Sequence, residues 1–180
     1  MSERIMDNRF AGIEDVERLG FGVEENARRL HRLAYVEQRL MFIAAGHLLS
    51  VPEWEAKNEI GLHLWEDADA CERLRGRLRE MRCNHPEKGI PEALHHLARE
   101  LACAQDSLEL IATVYLVVKK ALLATYRLHP TLTYPVFDRP TIKVLGELTE
   151  IYERQVAWAE QITAQLAQGR DPAGWRTWQD

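Results

Sequence analysis

The sequence predicts an all-α protein built from four long helices around one core. Three observations carry that prediction. Apolar residues recur at three- and four-residue spacing along most of the chain, and no stretch alternates persuasively with the period of two of a half-buried strand. All seven prolines and six of the ten glycines sit at or near the joints between the periodic stretches, with Gly46, Gly61, Gly76 and Gly146 inside them. Each stretch carries one apolar stripe, and a rod with one apolar stripe is stable only when packed on others.

Taken in order, residues 12–20 can form a short leading helix with Ile13, Val16 and Leu19 on one side. The first long helix spans about 23–49, with the stripe Leu30, Leu33, Ala34, Glu37, Leu40, Met41, Ala44, Leu48. Ser50 fits the next N-cap, with Pro52 in the first turn and Glu53 closing a capping box. The second long helix follows to about residue 82, with Ala56, Ile60, His63, Asp67, Ala70, Cys71, Leu74, Leu78 and Met81 in line. Residues 83–90, with Pro86 and Gly89, break the pattern. A short helix over 91–101 shows Leu94, Leu97 and Leu101, and runs into the third long helix over 102–128. That helix aligns Ala104, Leu108, Ile111, Tyr115, Val118, Leu122 and Thr125. Residues 129–137 hold Pro130 and Pro135 and read as a loop.

Asp138 is the expected N-cap of the fourth long helix, with Pro140 in its first turn. The helix ends near Gln168, with Gly169 as the C′ residue. Its stripe reads Thr141, Val144, Leu145, Leu148, Ile151, Tyr152, Gln155, Ala159, Ile162, Leu166. The organisation is thus an N-terminal segment 1–22, a bundle over 23–168 and a tail 169–180. The tail carries Trp175 and Trp178, free to dock on the bundle or a partner. The tight turn between the first two long helices makes them antiparallel neighbours. One long crossover joins the second to the third.

Apolar residues at 46% and charged residues at 28% exclude general disorder. A net charge of −5 argues against a nucleic-acid partner. The central uncharged run over residues 110–118 falls far short of the ~20 that a membrane helix needs. The chain opens without an apolar signal region, and Cys71, Cys83 and Cys103 stand at no metal spacing, so a reduced, cytoplasmic setting is expected. There is no Gly-rich phosphate loop, nucleophile elbow or repeat.

The informative residues are polar groups on stripes that should be buried. Glu37 lies among Leu33, Ala34, Leu40 and Met41. A carboxylate there needs a cation, a metal or a donor, or it takes up a proton. His63 and Asp67, four apart, share a face, as do Tyr152 and Gln155, three apart. With Tyr115 these six are expected in one interior layer.

The helix order, the crossover and three runs resemble the ferritin-like superfamily over residues 23–167. The runs are His63-Leu-Trp-Glu-Asp-Ala-Asp-Ala-Cys-Glu-Arg-Leu, Asp138-Arg-Pro-Thr-Ile-Lys-Val-Leu and Glu153-Arg-Gln-Val-Ala-Trp. The resemblance implies a ferritin-like four-helix bundle. It also implies a di-iron or di-manganese centre held by a Glu from each of two helices and a Glu-x-x-His from each of the others. Glu37 takes the place of the first-helix carboxylate, and Asp67 that of the second, with Ala70 where its histidine would stand. Glu109 is the only glutamate near the middle of the third helix and lies off its stripe. Tyr152 and Gln155 stand where the fourth helix would carry Glu and His. Both family histidines are missing, so the resemblance implies a divergent member with a degenerate metal site.

The leading expectation is a polar pocket inside the bundle that binds or transforms a small molecule with no cofactor. Glu37, His63, Asp67 and Tyr152 form its acid–base set, and Tyr115, Gln155, Trp65 and Trp158 its walls. A second is an oxidoreductase or oxygenase with a remodelled iron or manganese site on Glu37, His63 and Asp67. A third is a non-catalytic interaction protein, with a homodimer as one form of it. The plainest is a structural network in which Glu37 and His63 satisfy each other, completed by Tyr152 or Gln155. Elsewhere, His95, His96 and Glu100 read as a solvated face, and Arg73, Arg75, Arg77, Arg79 and Arg82 as an exposed helix surface. Cys71 reads as a small core residue, and Trp54 as packed at a helix contact.

Overall fold

The computed structural model describes residues 20–83 and 89–168, and their regular structure is all helix, with no strand among the described residues. Helix α1 spans Val23–His47 and is prolonged by a 3-10 turn, Leu48–Ser50. Helix α2 spans Trp54–Glu80 and the short α3 spans Glu92–Leu101. Helix α4 is one rod in three stretches: α-helical Ser107–Ile111, π-helical Ala112–Lys119 and α-helical Lys120–Leu132. Helix α5 spans Arg139–Leu166. The expected leading helix (Gly20 apart), the Gly169 cap, Trp175 and Trp178 lie outside the described residues.

Helices α1 and α2 pack along each other, α4 packs on α5, α5 also packs on α2, and α3 rests on α1. Leu30, Leu40, Ile60, Leu74, Ile111, Leu145 and Leu148 are sealed between them. Burying each such side chain is worth about 1.5–3 kcal/mol. None of the described helices is long and apolar enough to cross a membrane.

Four boundaries differ from expectation, each for a local reason. Ser50 does not cap α2. It belongs to the 3-10 turn, Val51 is buried in extended backbone, and the N-cap slides to Glu53. The short helix does not run into α4. Asp106 caps a fresh start, its Oδ1 accepting from the Glu109 amide at 2.9 Å. Glu109, expected near mid-helix, sits in that first turn and accepts from the Gln105 amide at 2.7 Å. Residues 129–132 are helix rather than loop, with Pro130 inside the last turn. Proline there removes one intrahelical bond. The turn is held instead by the buried His129 ring and by the Phe21 amide, which donates to the Leu132 carbonyl at 3.2 Å. Helix α5 ends at Leu166, two residues early.

Gly20 lies against this corner. A Cβ there would meet the backbone nitrogen of Tyr134 at 2.8 Å and the carbonyl carbon of Thr133 at 2.9 Å, so only glycine fits the approach.

Asp138 does sit at the N-cap of α5, but its carboxylate makes no capping hydrogen bond to a backbone amide of that helix. Its Oδ2 accepts from Asn26 Nδ2 at 3.1 Å, Thr133 Oγ1 at 2.9 Å and His129 Nε2 at 3.1 Å. Arg77 stands 3.6 Å from Oδ1 and donates to Thr141 Oγ1 at 2.9 Å. This knot ties α1, α2, α4 and α5 together at one end. Burial works against ionising Asp138. Hydrogen bonds from His129, Thr141 and Thr133, with the charge of His129, outweigh it and hold the carboxyl below its ordinary value.

Candidate functional site

Midway along the rods, a second buried polar layer forms because each helix turns one or two polar residues inward. Helix α1 contributes Glu37, fully buried, whose two oxygens accept hydrogen bonds from the hydroxyls of Tyr126 on α4 and Tyr152 on α5. Helix α2 contributes Asp67. Its oxygens receive the ammonium of Lys119 at 2.7 and 2.9 Å, and the Tyr152 hydroxyl stands 3.4 Å from Oδ1. Lys119 also donates to Gln155 Oε1 at 2.6 Å and lies over the rings of Tyr115 and Tyr152, 4.6 and 4.9 Å from their centroids. Gln155 Nε2 donates to Glu66 Oε2 at 2.7 Å, and Glu66 meets Arg154 at 3.1 Å at the margin.

Two carboxylates, Glu37 and Asp67, thus face one ammonium, and the charge arithmetic sets the protonation. Burial, and then the charge of Asp67, push Glu37 up to about 8 against the hydrogen bonds of Tyr126 and Tyr152 and the charge of Lys119. Burial also raises Asp67, opposed by the charge and hydrogen bond of Lys119. Glu37, whose direct partners are neutral hydroxyls, is the carboxyl that takes up a proton more readily, its O–H then donating to one of the two tyrosine oxygens, while Asp67 keeps the ammonium. Burial raises Tyr126, Tyr152 and Tyr115 well above the ordinary phenol value, so all three remain phenols.

His63 stands one turn away in a group of its own. Its Nδ1 lies 3.0 Å from the Tyr115 hydroxyl and its Nε2 lies 3.7 Å from Glu59. The Trp158 ring meets His63 and Tyr115 edge-on at 4.9 and 5.2 Å. Burial, then the charges of Lys119 and Arg154, lower His63 to about 3, so the ring is neutral at every ordinary pH. With Nε2–H toward Glu59, Nδ1 accepts from Tyr115.

Of the expected site residues, the structure joins Glu37, Asp67, Tyr152 and Gln155 in one layer, and sets His63, Tyr115 and Trp158 beside it. Glu37 and His63 do not satisfy each other: each has its own tyrosine partners. Trp65 is not turned toward this layer. It is 63% exposed, because it lies two residues from both His63 and Asp67 and so points away from them. Trp54 is likewise exposed. Cys71 is buried as expected. His96 is exposed, whereas His95 is half-buried against Tyr35.

Lys119, Tyr126 and Glu66 escaped the sequence reading. Tyr115, Lys119, Leu122 and Tyr126 do follow helical spacing, but the expected stripe runs through Val118 and Thr125 and passes Lys119 and Tyr126 by. Val118 and Lys119, both in the π-helical stretch, are both buried. Beyond it the face runs through Leu122 and Tyr126, leaving Thr125 exposed.

Compared with known proteins, the chain matches no family model, no curated protein and no solved structure. The donors do not fit the di-metal centre that the resemblance implies. A lysine ammonium occupies both oxygens of Asp67, and His63 is turned to Tyr115. Among the described residues no group of three His, Cys, Asp or Glu side chains stands ready for a metal ion, the trio Glu37, His63 and Asp67 included.

Proposed function

We propose that this chain is a divergent ferritin-like four-helix bundle that works without a di-metal centre, and that its interior layer binds or transforms a small molecule by acid–base chemistry. The observation that carries this reading is the enclosure of Glu37 and Asp67 with the single ammonium of Lys119, both carboxylates reached by Tyr152. Replacing a buried ion pair by well-packed apolar side chains is often neutral or stabilising, so stability alone is a weak reason for such a layer. A carboxylic acid that exchanges its proton near neutrality is suited to proton transfer. In this reading Lys119 supplies from the chain the positive charge that metal ions supply in the family. Tyr126 and Tyr152 hold the Glu37 carboxyl in place, and it gives or takes the proton of a molecule admitted beside it. Neutral His63, set by Tyr115, is the second acid–base group.

Metal analysis of protein purified without chelator tests the first half. The expected content is far below one iron or manganese per chain, and one or more tightly held ions would overturn it. A thermal-shift screen of small molecules on wild type and Glu37→Gln tests the second half. Ligands that stabilise only the wild type support the role of Glu37, and ligands indifferent to the change contradict it.

One observation favours the interaction-protein reading. Leu62 and Trp65, a turn apart on α2, are 48% and 63% exposed. In that case the protein is a homodimer by sedimentation, and Trp65→Glu makes it a monomer.

A further inference from the structure

Helices α1, α2 and α3 enclose a cleft of about 690 Å³, apart from the interior layer and within the size range of small-molecule sites. His31, Tyr35, Arg39, Arg75, Arg79 and His95 line it, and none of the described lining residues is acidic. That is the reverse of the chain as a whole, which carries a net charge of −5. Arg79 is engaged by Glu72 at 2.5 Å, but among the described residues neither Arg39 nor Arg75 has an ion-pair partner. Arg39 is held in position without one. Its guanidinium lies 4.9 Å from the centroid of the Tyr35 ring, and the Tyr35 hydroxyl is hydrogen-bonded with His95 Nδ1 at 2.6 Å. Its Nε is buried with no acceptor among the described residues, an unmet hydrogen bond that an incoming oxygen can make. Ala34, Leu78 and Ile90 complete the cleft with apolar surface.

We propose that this cleft is a binding site for a small organic anion, its carboxylate or phosphate head on Arg39 and Arg75 and its apolar body against Tyr35, Leu78 and Ile90. Arginine pairs with such heads through two parallel hydrogen bonds, and a cleft lined by one sign of charge concentrates the opposite ion. The site lies outside the acid–base layer. Its loss would leave the Glu37 tests standing, and metal in the interior would leave the cleft standing.

The test is an NMR titration of the full-length protein with phenylacetate, phenyl phosphate and uncharged benzyl alcohol. Both anions are expected to saturate, shifting the amides of Tyr35, Leu78 and His95, and to weaken with added salt. Arg39→Gln and Arg75→Gln should each weaken binding about tenfold or more, with the two folds checked by their spectra. Tighter phenyl phosphate assigns a phosphate head, and tighter phenylacetate a carboxylate. Absence of saturable anion binding, equal binding of benzyl alcohol, or indifference to both substitutions would overturn the site.

Discussion

At one end of the molecule a single carboxylate, Asp138, faces His129, Thr133, Asn26 and Arg77, while in the middle two carboxylates, Glu37 and Asp67, face one ammonium. Both clusters are buried and both are hydrogen-bonded, yet they hold protons in opposite ways. Donors outnumber charges at Asp138, so it stays ionised below its ordinary value. Carboxylates outnumber cations in the central layer, so Glu37 keeps a proton up to about pH 8. Burial alone therefore does not decide ionisation; the local count of donors and charges does.

Lys119→Met should produce the largest effect, because it strands Asp67 as a buried charge. The expected loss is about 3–5 kcal/mol by chemical denaturation, much of it recovered when Asp67→Leu is added. Asp138→Asn should cost about 2 kcal/mol, since its donors lose a charged acceptor. Asp138 has a lowered folded value, so its contribution is present above the unfolded carboxyl value and lost as pH falls through the folded one. The variant should lose that part of the acid sensitivity.

Glu37→Gln should change stability at pH 5 by no more than about 1 kcal/mol, because an amide replaces a neutral acid of the same shape. The sign with pH is opposite to that of Asp138. Glu37 has a raised folded value, so its contribution is complete below about 4.5 and fades as pH rises through about 8. Wild-type stability should decline over that window relative to the variant, by at most about 1.4 kcal/mol per pH unit. The smallest effect concerns His63, whose ring signals should not titrate between pH 8 and 5, given a value lowered to about 3.

The sequence was most informative where a single helix decided the matter. Stripe periodicity located the four rods and the short helix, and it turned Glu37, Asp67, Tyr152 and Gln155 inward. It was least informative where partners come from another helix. Nothing along α1 says that Glu37 would find Tyr126 and Tyr152 rather than His63. Lys119 was hidden because nothing along its own helix says that Asp67, on another helix, would be there to pair a buried ammonium. Pro130 misled because a proline in a last turn costs only one bond, which the corner around His129 can replace.

The protonation of Glu37 is the pivot, and selective carbon-13 labelling of its carboxyl reads it directly by NMR across a pH series. A neutral carboxyl signal that persists through pH 6–7 and shifts with a midpoint near 8 is the predicted result. A signal already that of a carboxylate at pH 6, with a midpoint close to an ordinary glutamate, would contradict it: Lys119 would then be serving both acids at once.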